Sequence, residues 1–224
     1  MRLLFGLNYL NIVNGLIIYI DLTLITNLEA HNREAKATSE PKKVVYIVDD
    51  PKMIRLLADF TRTEILRLLS KHPMTETQLS KHLGITKAAI SYHLRLLMDA
   101  GLIHIDRVEP EEHGILQKFY APIAVLLIID PDRIPRDVQR YFIQIQIEHL
   151  RGMFSVFRLY HRVSEASSEN FEKLAVAMLR QLKAVGQEHT KDVVLADAES
   201  LRVKIYAEAL SNLTKEKEWR SLFH

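Results

Sequence analysis

The stretch TETQLSKHLGITKAAISYHLRLLMDAGLI, residues 75–103, carries the clearest fold signal in the chain. It holds two segments with helical spacing of apolar residues, and Gly84 separates them. The twenty-two residues 77–98 inside it contain no Asp or Glu, although 28 of the 224 residues of the chain are acidic. A pair of short helices and an unusual charge pattern therefore coincide in one place.

Capping signals define the limits of these two helices. Residues 75–78, Thr-Glu-Thr-Gln, form a capping box that begins a short helix, and Gly84 ends it. Thr86 can cap a second helix, which we predict over residues 87–100 with Gly101 after its end. Two short helices joined by a turn that contains glycine are the helix-turn-helix arrangement.

The flanking sequence extends this arrangement on both sides. Upstream, KVVYIVDD predicts a short edge strand, a helix follows from Pro51 to about Phe60, and Thr61-Arg-Thr-Glu64 offers a capping box for the next helix. Downstream, LIHIDRV and ILQKFYAPI have the pattern of strands on either side of the turn EPEEHG. A hairpin appended to a helix-turn-helix predicts a winged helix.

The segments LADFTRTEILRLL and TETQLSKHLGITKAAISYHLRLLMDAGLI, with the hairpin after them, resemble the winged-helix domain of ArsR-type transcriptional regulators. The resemblance covers about residues 45–122, and ISYHL and DAGLI are its most specific parts. It implies a DNA-binding domain in a regulator of transcription. Regulators of this type are typically dimers, so the expected partners are double-stranded DNA and a second copy of the chain.

Composition limits the other function classes. With 30 basic and 28 acidic residues, the chain is nearly neutral, so a nucleic-acid surface must be local. The absence of cysteine removes disulfides, thiolate metal sites and thiol redox sensing. Among histidine–carboxylate pairs, His189 with Asp192 approaches the spacing of a metal site, but one pair is poor evidence. Because no catalytic motif is recognisable either, we expect no enzyme activity, no cofactor and no metal.

The helix over residues 87–100 divides into two faces when its residues are placed at 100° per position. The inward face consists of Ala89, Ile90, His93, Leu94, Leu97 and Ala100. The outward face has Ala88, Ser91 and Arg95, with Lys87 and Tyr92 beside them and no carboxylate. This is a face that the major groove of B-DNA accepts, because Arg pairs with guanine, Ser with any base edge and the Ala methyl with thymine. His93, on the buried edge, is predicted to be a hydrogen-bonded structural residue.

The predicted DNA contacts include phosphate contacts as well as base contacts. The full predicted set is Thr86, Lys87, Ala88, Ser91, Tyr92 and Arg95 on or beside the helix, Lys81 before it, and Arg107 and Lys118 in the wing. Thr86 and the free amides of the first turn suit a phosphate. The wing tip carries Glu109, Glu111 and Glu112, which phosphates would repel, so we expect it to contact DNA weakly or not at all.

Three long helices are predicted after residue 130. The first runs from Pro135 to about Val163, the second from the cap at 167–170 to about Gln187, and the third from near Leu195 to Leu222. Their apolar sets are too wide for surface helices. The simplest explanation is that these helices form the core of a homodimer.

The first forty residues differ from the rest. Residues 3–28 are apolar and long enough to span a bilayer, but Asn8, Asn11, Asn14 and Asp21 lie inside them. Three interpretations stay open: a start codon placed too far upstream, a helix that packs on the body or on a partner, and a membrane anchor.

Together these patterns predict a mainly α protein with a small β-hairpin. Its expected parts are an N-terminal extension with a linker (1–40), a winged helix-turn-helix (41–125) and a helical dimerisation or effector region (126–224). The expected function is a homodimeric, sequence-specific, cytoplasmic regulator of transcription with its 87–100 helix in the major groove. A winged-helix protein-interaction module and a membrane-anchored regulator are the alternatives.

Overall fold

The computed structural model describes residues 43–110, 114–159, 167–191 and 198–223. In these ranges the α-helices are Pro51–Leu57 (α1), Phe60–Lys71 (α2), Glu76–Leu83 (α3), Lys87–Asp99 (α4), Arg136–Leu159 (α5), Ser168–Glu188 (α6) and Ala198–Lys215 (α7). The strands are Lys43–Val48 (β1), Ile103–Pro110 (β2), Leu116–Pro122 (β3) and Ala124–Ile129 (β4). The fold is therefore mainly helical with a small hairpin, which confirms the predicted class.

The helix-turn-helix begins and ends at the predicted caps. The Thr75 hydroxyl accepts from the Gln78 amide at 3.2 Å, and the Gln78 side chain accepts from the Thr75 amide at 2.9 Å. Gly84 follows α3 with a φ of 67°, a conformation that glycine adopts without strain. Thr86 accepts from the Ala89 amide at 3.2 Å and starts α4. Local hydrogen bonding thus fixes both helices, and the predicted cap positions are confirmed.

The start of α2 differs from the prediction. Its N-cap is Asp59, whose carboxylate accepts from the Arg62 amide at 2.9 Å, so Thr61 lies inside the helix. Glu64 is buried and pairs with Arg67 at 3.0 Å, and this ion pair occupies the carboxylate that a capping box would need. The predicted box at 61–64 is therefore wrong, and α1 ends at Leu57, before the expected end.

Strands β2 and β3 form the predicted antiparallel hairpin. The pairing runs from Ile103 opposite Pro122 to Pro110 opposite Leu116, with a register shift between Ile105 and Arg107. The Met74 and Tyr120 backbones exchange two hydrogen bonds, so the segment before α3 is joined to β3. The wing is thereby attached to the helix-turn-helix by backbone as well as by side chains.

A strand that the sequence did not reveal completes the fold. The run AVLLII forms β4, which pairs in parallel with β1 from Lys43 opposite Ala124 to Val48 opposite Ile129. An unbroken apolar run has no alternation to mark it as a strand, and its partner lies about eighty residues away in sequence. The division of the chain at 125/126 stays a prediction.

The sheet of β1 and β4 lies between two apolar cores. Ile90, Leu97 and Phe142 belong to the core beneath the helix-turn-helix, together with Val48 and Ile129 from the ends of the two strands. The other core joins α5, α6 and α7 to the opposite part of the same strands, through residues such as Val45, Leu126, Leu150, Met178 and Ile205. The two cores thus share one small sheet.

The three predicted C-terminal helices are present, although the predicted end near Val163 and the predicted start near Leu195 lie outside the described residues. The first begins at Arg136, close to Pro135, and α6 is capped by Ser167, which accepts from the Asn170 amide at 3.2 Å. The last helix ends at Lys215, and residues Arg220–Leu222 form a short 3-10 turn. The extension 1–40 and its three interpretations lie outside the described residues. Among the described helices, none is both long and apolar enough to cross a membrane.

Candidate nucleic-acid interface

The outward face of α4 has the composition expected from the sequence. Lys87, Ala88, Ser91, Tyr92 and Arg95 are all exposed, and about half of the Tyr92 side chain is accessible, at 51%. On the other side, the apolar residues Ile90, Leu94 and Leu97 are buried. Helical periodicity alone therefore separated the exposed residues from the core residues.

The start of α4 presents unpaired backbone donors. The first amides of any α-helix have no acceptor within the helix. Here the Thr86 hydroxyl accepts from the Ala89 amide, while Thr86, Lys87 and Ala88 are exposed. Amides of this kind, at the positive end of the helix dipole, are suited to an anion such as a phosphate. Lys81, in the last turn of α3, is exposed as well.

A carboxylate lies beside this face, which the sequence did not predict. Glu76 Oε1 accepts from the Ser91 hydroxyl at 3.4 Å and from the Tyr120 hydroxyl at 3.3 Å. Burial, followed by the charge and hydrogen bond of Glu76, raises the pKa of Tyr120 to about 12. The α4 sequence contains no acid before Asp99, but the packing of α3 brings one to its surface. A helical wheel of a single helix cannot reveal such a neighbour.

His93 lies on the inward side of α4, as predicted. Its side chain is partly buried and its ring meets the Tyr92 ring edge-on, with centroids 5.4 Å apart. The buried Nδ1 atom has no hydrogen-bond partner among the described residues. The predicted position is confirmed, whereas the predicted hydrogen bond is not found at this nitrogen.

The wing differs in charge from a simple basic loop. Arg107 donates to Glu109 at 2.6 Å and to Asp106 at 3.1 Å, and its guanidinium lies 3.9 Å from the centre of the Phe119 ring. Hydrogen bonding to Glu109 is the main cause that raises the pKa of Arg107. The positive charge of Arg107 is therefore largely compensated within the wing.

The other face of the hairpin is partly apolar. Val108 lies opposite Lys118 in the strand pairing, and Ile105 and Leu116 are also exposed. Lys118 itself is exposed, so it is accessible to a phosphate. The structure thus brings the predicted α4 residues together on one face and places Arg107 and Lys118 on the separate hairpin. Which of these residues contact DNA stays a prediction.

A metal site would need several His, Asp or Glu side chains that converge on one point. Within the described ranges, no group of three or more such residues has the geometry to hold a metal ion. His189 is buried and lies 3.5 Å from Glu208 across α6 and α7, while its sequence neighbour Asp192 is outside those ranges. This His–Glu pair joins two helices of the C-terminal core.

Comparison with known proteins finds similarity to a family of bacterial regulators. Residues 59–104 match the model of the arsR family of bacterial regulatory proteins. An uncharacterized HTH-type transcriptional regulator of Pyrococcus furiosus is 26% identical over 138 residues, which cover 58% of this chain and 89% of that protein. The adhesin competence repressor AdcR of Streptococcus pyogenes matches 58% of this chain and 79% of its own, with 17% identity and a TM-score of 0.25.

The family match covers the described parts that form the interface. It begins at Asp59, the N-cap of α2, and ends within β2, so it contains α2, α3 and α4. The structure adds β3 to complete the wing. Residues 59–104 thus match the arsR family model within a winged helix-turn-helix, and the findings support a DNA-binding regulator of transcription of the ArsR, winged-helix type.

Proposed function

We propose that the protein is a sequence-specific regulator that binds double-stranded DNA as a homodimer, with α4 in the major groove. The observation that supports this best is the outward face of α4. It presents Lys87, Ser91, Tyr92 and Arg95 to solvent, and the helix contributes no carboxylate before its last residue. Cations without a carboxylate on the same helix face are favourable beside phosphates, whereas a merely solvated face has no need of this pattern.

Each exposed residue has a role in this proposal. Arg95 is long enough to pair with a guanine edge, and the Ala88 methyl is suited to a thymine methyl. Lys87 and Thr86 lie at the start of α4, where a phosphate would also meet the free amides. Tyr92 and Lys81 flank the helix and would contact the DNA backbone.

The wing contributes less to binding in this proposal. Lys118 is exposed and would reach a backbone phosphate. Arg107 would first have to leave two carboxylates, Asp106 and Glu109. We therefore assign the wing a weak, mainly electrostatic contribution.

The homodimer is part of the same proposal. Two α4 helices that read successive major grooves lie about 34–36 Å apart, which requires a pseudo-palindromic site. The C-terminal helices leave apolar side chains exposed, namely Val156 and Leu159 on α5 and Val203 on α7. Of these, Leu159 is 78% exposed, so burial against a second copy would stabilise the pair.

The test removes the two cations of α4. We expect the double variant Lys87→Ala, Arg95→Ala to bind DNA at least about tenfold more weakly, because a base contact and a phosphate contact are lost together. The DNA is first selected from genomic fragments with the purified protein, and affinity is then measured by fluorescence anisotropy at several salt concentrations. The slope of log affinity against log salt should fall by about 1 for the lost phosphate contact.

A matched control removes the same charge elsewhere. Lys191 and Lys217 are exposed and lie outside the winged helix, so Lys191→Ala, Lys217→Ala should leave affinity and salt slope nearly unchanged. Equal losses in both double variants would indicate only a general charge effect. Salt-insensitive, unaltered binding by the α4 variant would contradict the proposal.

A protein-docking module is the second candidate function. It is favoured by the exposed apolar side chains of the wing, Ile105, Val108, Ile115 and Leu116, beside Glu109. Such a surface fits a protein partner better than it fits phosphate. The α4 variant separates the two functions, because docking through the wing does not need Lys87 or Arg95.

A further inference from the structure

Glu76 connects the proposed recognition helix to the wing. One oxygen, Oε1, accepts from the Ser91 hydroxyl of α4 at 3.4 Å and from the Tyr120 hydroxyl of β3 at 3.3 Å. Glu76 is the first residue of α3, two positions after Met74, whose backbone pairs with that of Tyr120. Three elements of the winged helix therefore meet at one carboxylate.

The tyrosine holds this carboxylate in place. Tyr120 is only 5% exposed, and two backbone hydrogen bonds to Met74 at 2.9 and 3.2 Å fix its position. A hydrogen bond to a charged acceptor is stronger than one between neutral groups. Turning Glu76 away would leave the buried phenol without this acceptor, so the carboxylate stays available to Ser91.

The hydrogen-bonding capacity of Ser91 is thereby restricted. A serine hydroxyl has one hydrogen to donate and two lone pairs that accept, whereas an ionised carboxylate can only accept. Because Ser91 donates its hydrogen to Glu76, its oxygen can only accept from any further partner. An isolated serine would instead pair with either a donor or an acceptor.

The base edges in the major groove also differ in whether they present hydrogen-bond donors or acceptors. Adenine presents an N6 amino donor beside its N7 acceptor and cytosine an N4 amino donor, whereas guanine presents only the acceptors N7 and O6 and thymine only the acceptor O4. We propose that Glu76 is a positioning residue that makes Ser91 a hydrogen-bond acceptor and so selects adenine or cytosine at the base it faces. This inference rests on the proposed function, and it names a specificity that the family match does not give.

The experiment selects binding sites from a pool of randomised DNA duplexes. The full chain should favour adenine or cytosine over guanine or thymine at one position of each half-site, roughly threefold to tenfold, as one net hydrogen bond allows. Glu76→Ala should remove this preference at that position only, because Ser91 can then donate to guanine or thymine as well. The preference for the base paired with Arg95 should remain.

Two serine variants identify the position. Ser91→Ala should lose the same preference, and Ser91→Thr, which keeps the hydroxyl, should retain it. Tyr120→Phe tests the positioning itself: without the phenol hydroxyl Glu76 is held less firmly, so the preference should weaken without disappearing. If Glu76→Ala proves too unstable for selection, Glu76→Gln is used, and its amide, which can donate or accept, should weaken the preference.

The outcomes separate this inference from the function on which it rests. A motif whose adenine or cytosine position is unchanged in Glu76→Ala, in Glu76→Gln or in Ser91→Ala overturns the role of Glu76 while leaving DNA binding intact. A uniform loss at every position would show that Glu76 acts only on the fold. If the full chain selects no sequence motif at all, both the proposed function and this inference are wrong.

Discussion

At the scale of single residues, two arginines of the winged helix differ in what surrounds them. Arg95 is exposed on α4, whereas Arg107 is paired with Asp106 and Glu109 and stacked on Phe119. We expect Arg95→Ala to weaken DNA binding by about tenfold or more, as loss of a good base contact does. For Arg107→Ala we expect about threefold or less, because Asp106 and Glu109 already compensate its charge, so it releases little counterion when DNA binds.

Anisotropy titrations of the two single variants on one selected DNA duplex provide the measurement. Since both variants lose one positive charge, a pure charge effect would weaken binding equally. A loss for Arg107→Ala as large as that for Arg95→Ala would mean that Arg107 leaves its carboxylates to contact DNA.

These residues also show how far the sequence predicts the candidate site. Helix periodicity placed Lys87, Ser91 and Arg95 on the exposed side, because position on one helix depends on that helix alone. The contact between Glu76 and Ser91 depends on how α3 packs against α4, and the pairing of Arg107 depends on the conformation of the wing. The periodicity of one helix or strand does not reveal which residues of another element will contact it.

At the scale of helices and strands, the boundaries that depend on local hydrogen bonds were predicted best, and those that depend on contacts with other elements were missed. The caps at Thr75 and Thr86 use hydrogen bonds between residues three apart, so local sequence was sufficient. For α2 the predicted cap was Thr61, but Asp59 caps the helix, and Glu64, which the predicted box required, pairs with Arg67 instead. Strand β4 is defined by a distant partner, and nothing local indicated it.

Two glycines inside helices allow a test of how α6 packs on the sheet. A Cβ added at Gly186 of α6 would lie 2.3 Å from the Cδ1 atom of Ile128, which is buried on β4. At Gly152 of α5 such an atom would meet nothing within 4 Å. Gly152→Ala should therefore stabilise the protein by about 0.5–1 kcal/mol through helix propensity. Gly186→Ala should destabilise it by about 1–2 kcal/mol, since overpacking exceeds that gain.

Urea unfolding of both variants, at one fixed protein concentration, measures the difference. The informative result is the opposite sign of the two changes in unfolding free energy, because helix propensity alone would stabilise both variants. If Gly186→Ala were as stable as Gly152→Ala, Ile128 would be free to move and α6 would not be closely packed on β4.

At the scale of the whole molecule, the sheet of β1 and β4 links the winged helix to the C-terminal helices. Val48 and Ile129 lie in the core beneath the helix-turn-helix, and Val45 and Leu126 lie in the core of the C-terminal helices. Arg55 on α1 also pairs with Asp137 on α5 at 2.9 Å. The C-terminal helices and the winged helix therefore pack on the same small sheet and are joined by an ion pair.

The proposed dimer makes the C-terminal helices necessary for DNA binding at a distance from α4. Val156 and Leu159 lie three residues apart on α5 and are 52% and 78% exposed, so they share one apolar face. We expect Val156→Glu, Leu159→Glu to convert the dimer to a monomer in light-scattering measurements, because charged side chains would have to be buried in the interface.

The same variant should bind a two-half-site duplex with the low affinity of a single half-site. The winged helix remains intact, but the second α4 is no longer held beside the first. Val108→Glu, which adds a charge at an exposed apolar position of the wing, should remain dimeric and serves as the control. A dimer that persists in the α5 variant would place the interface on another surface, of which the exposed Val203 on α7 would be the next to be changed.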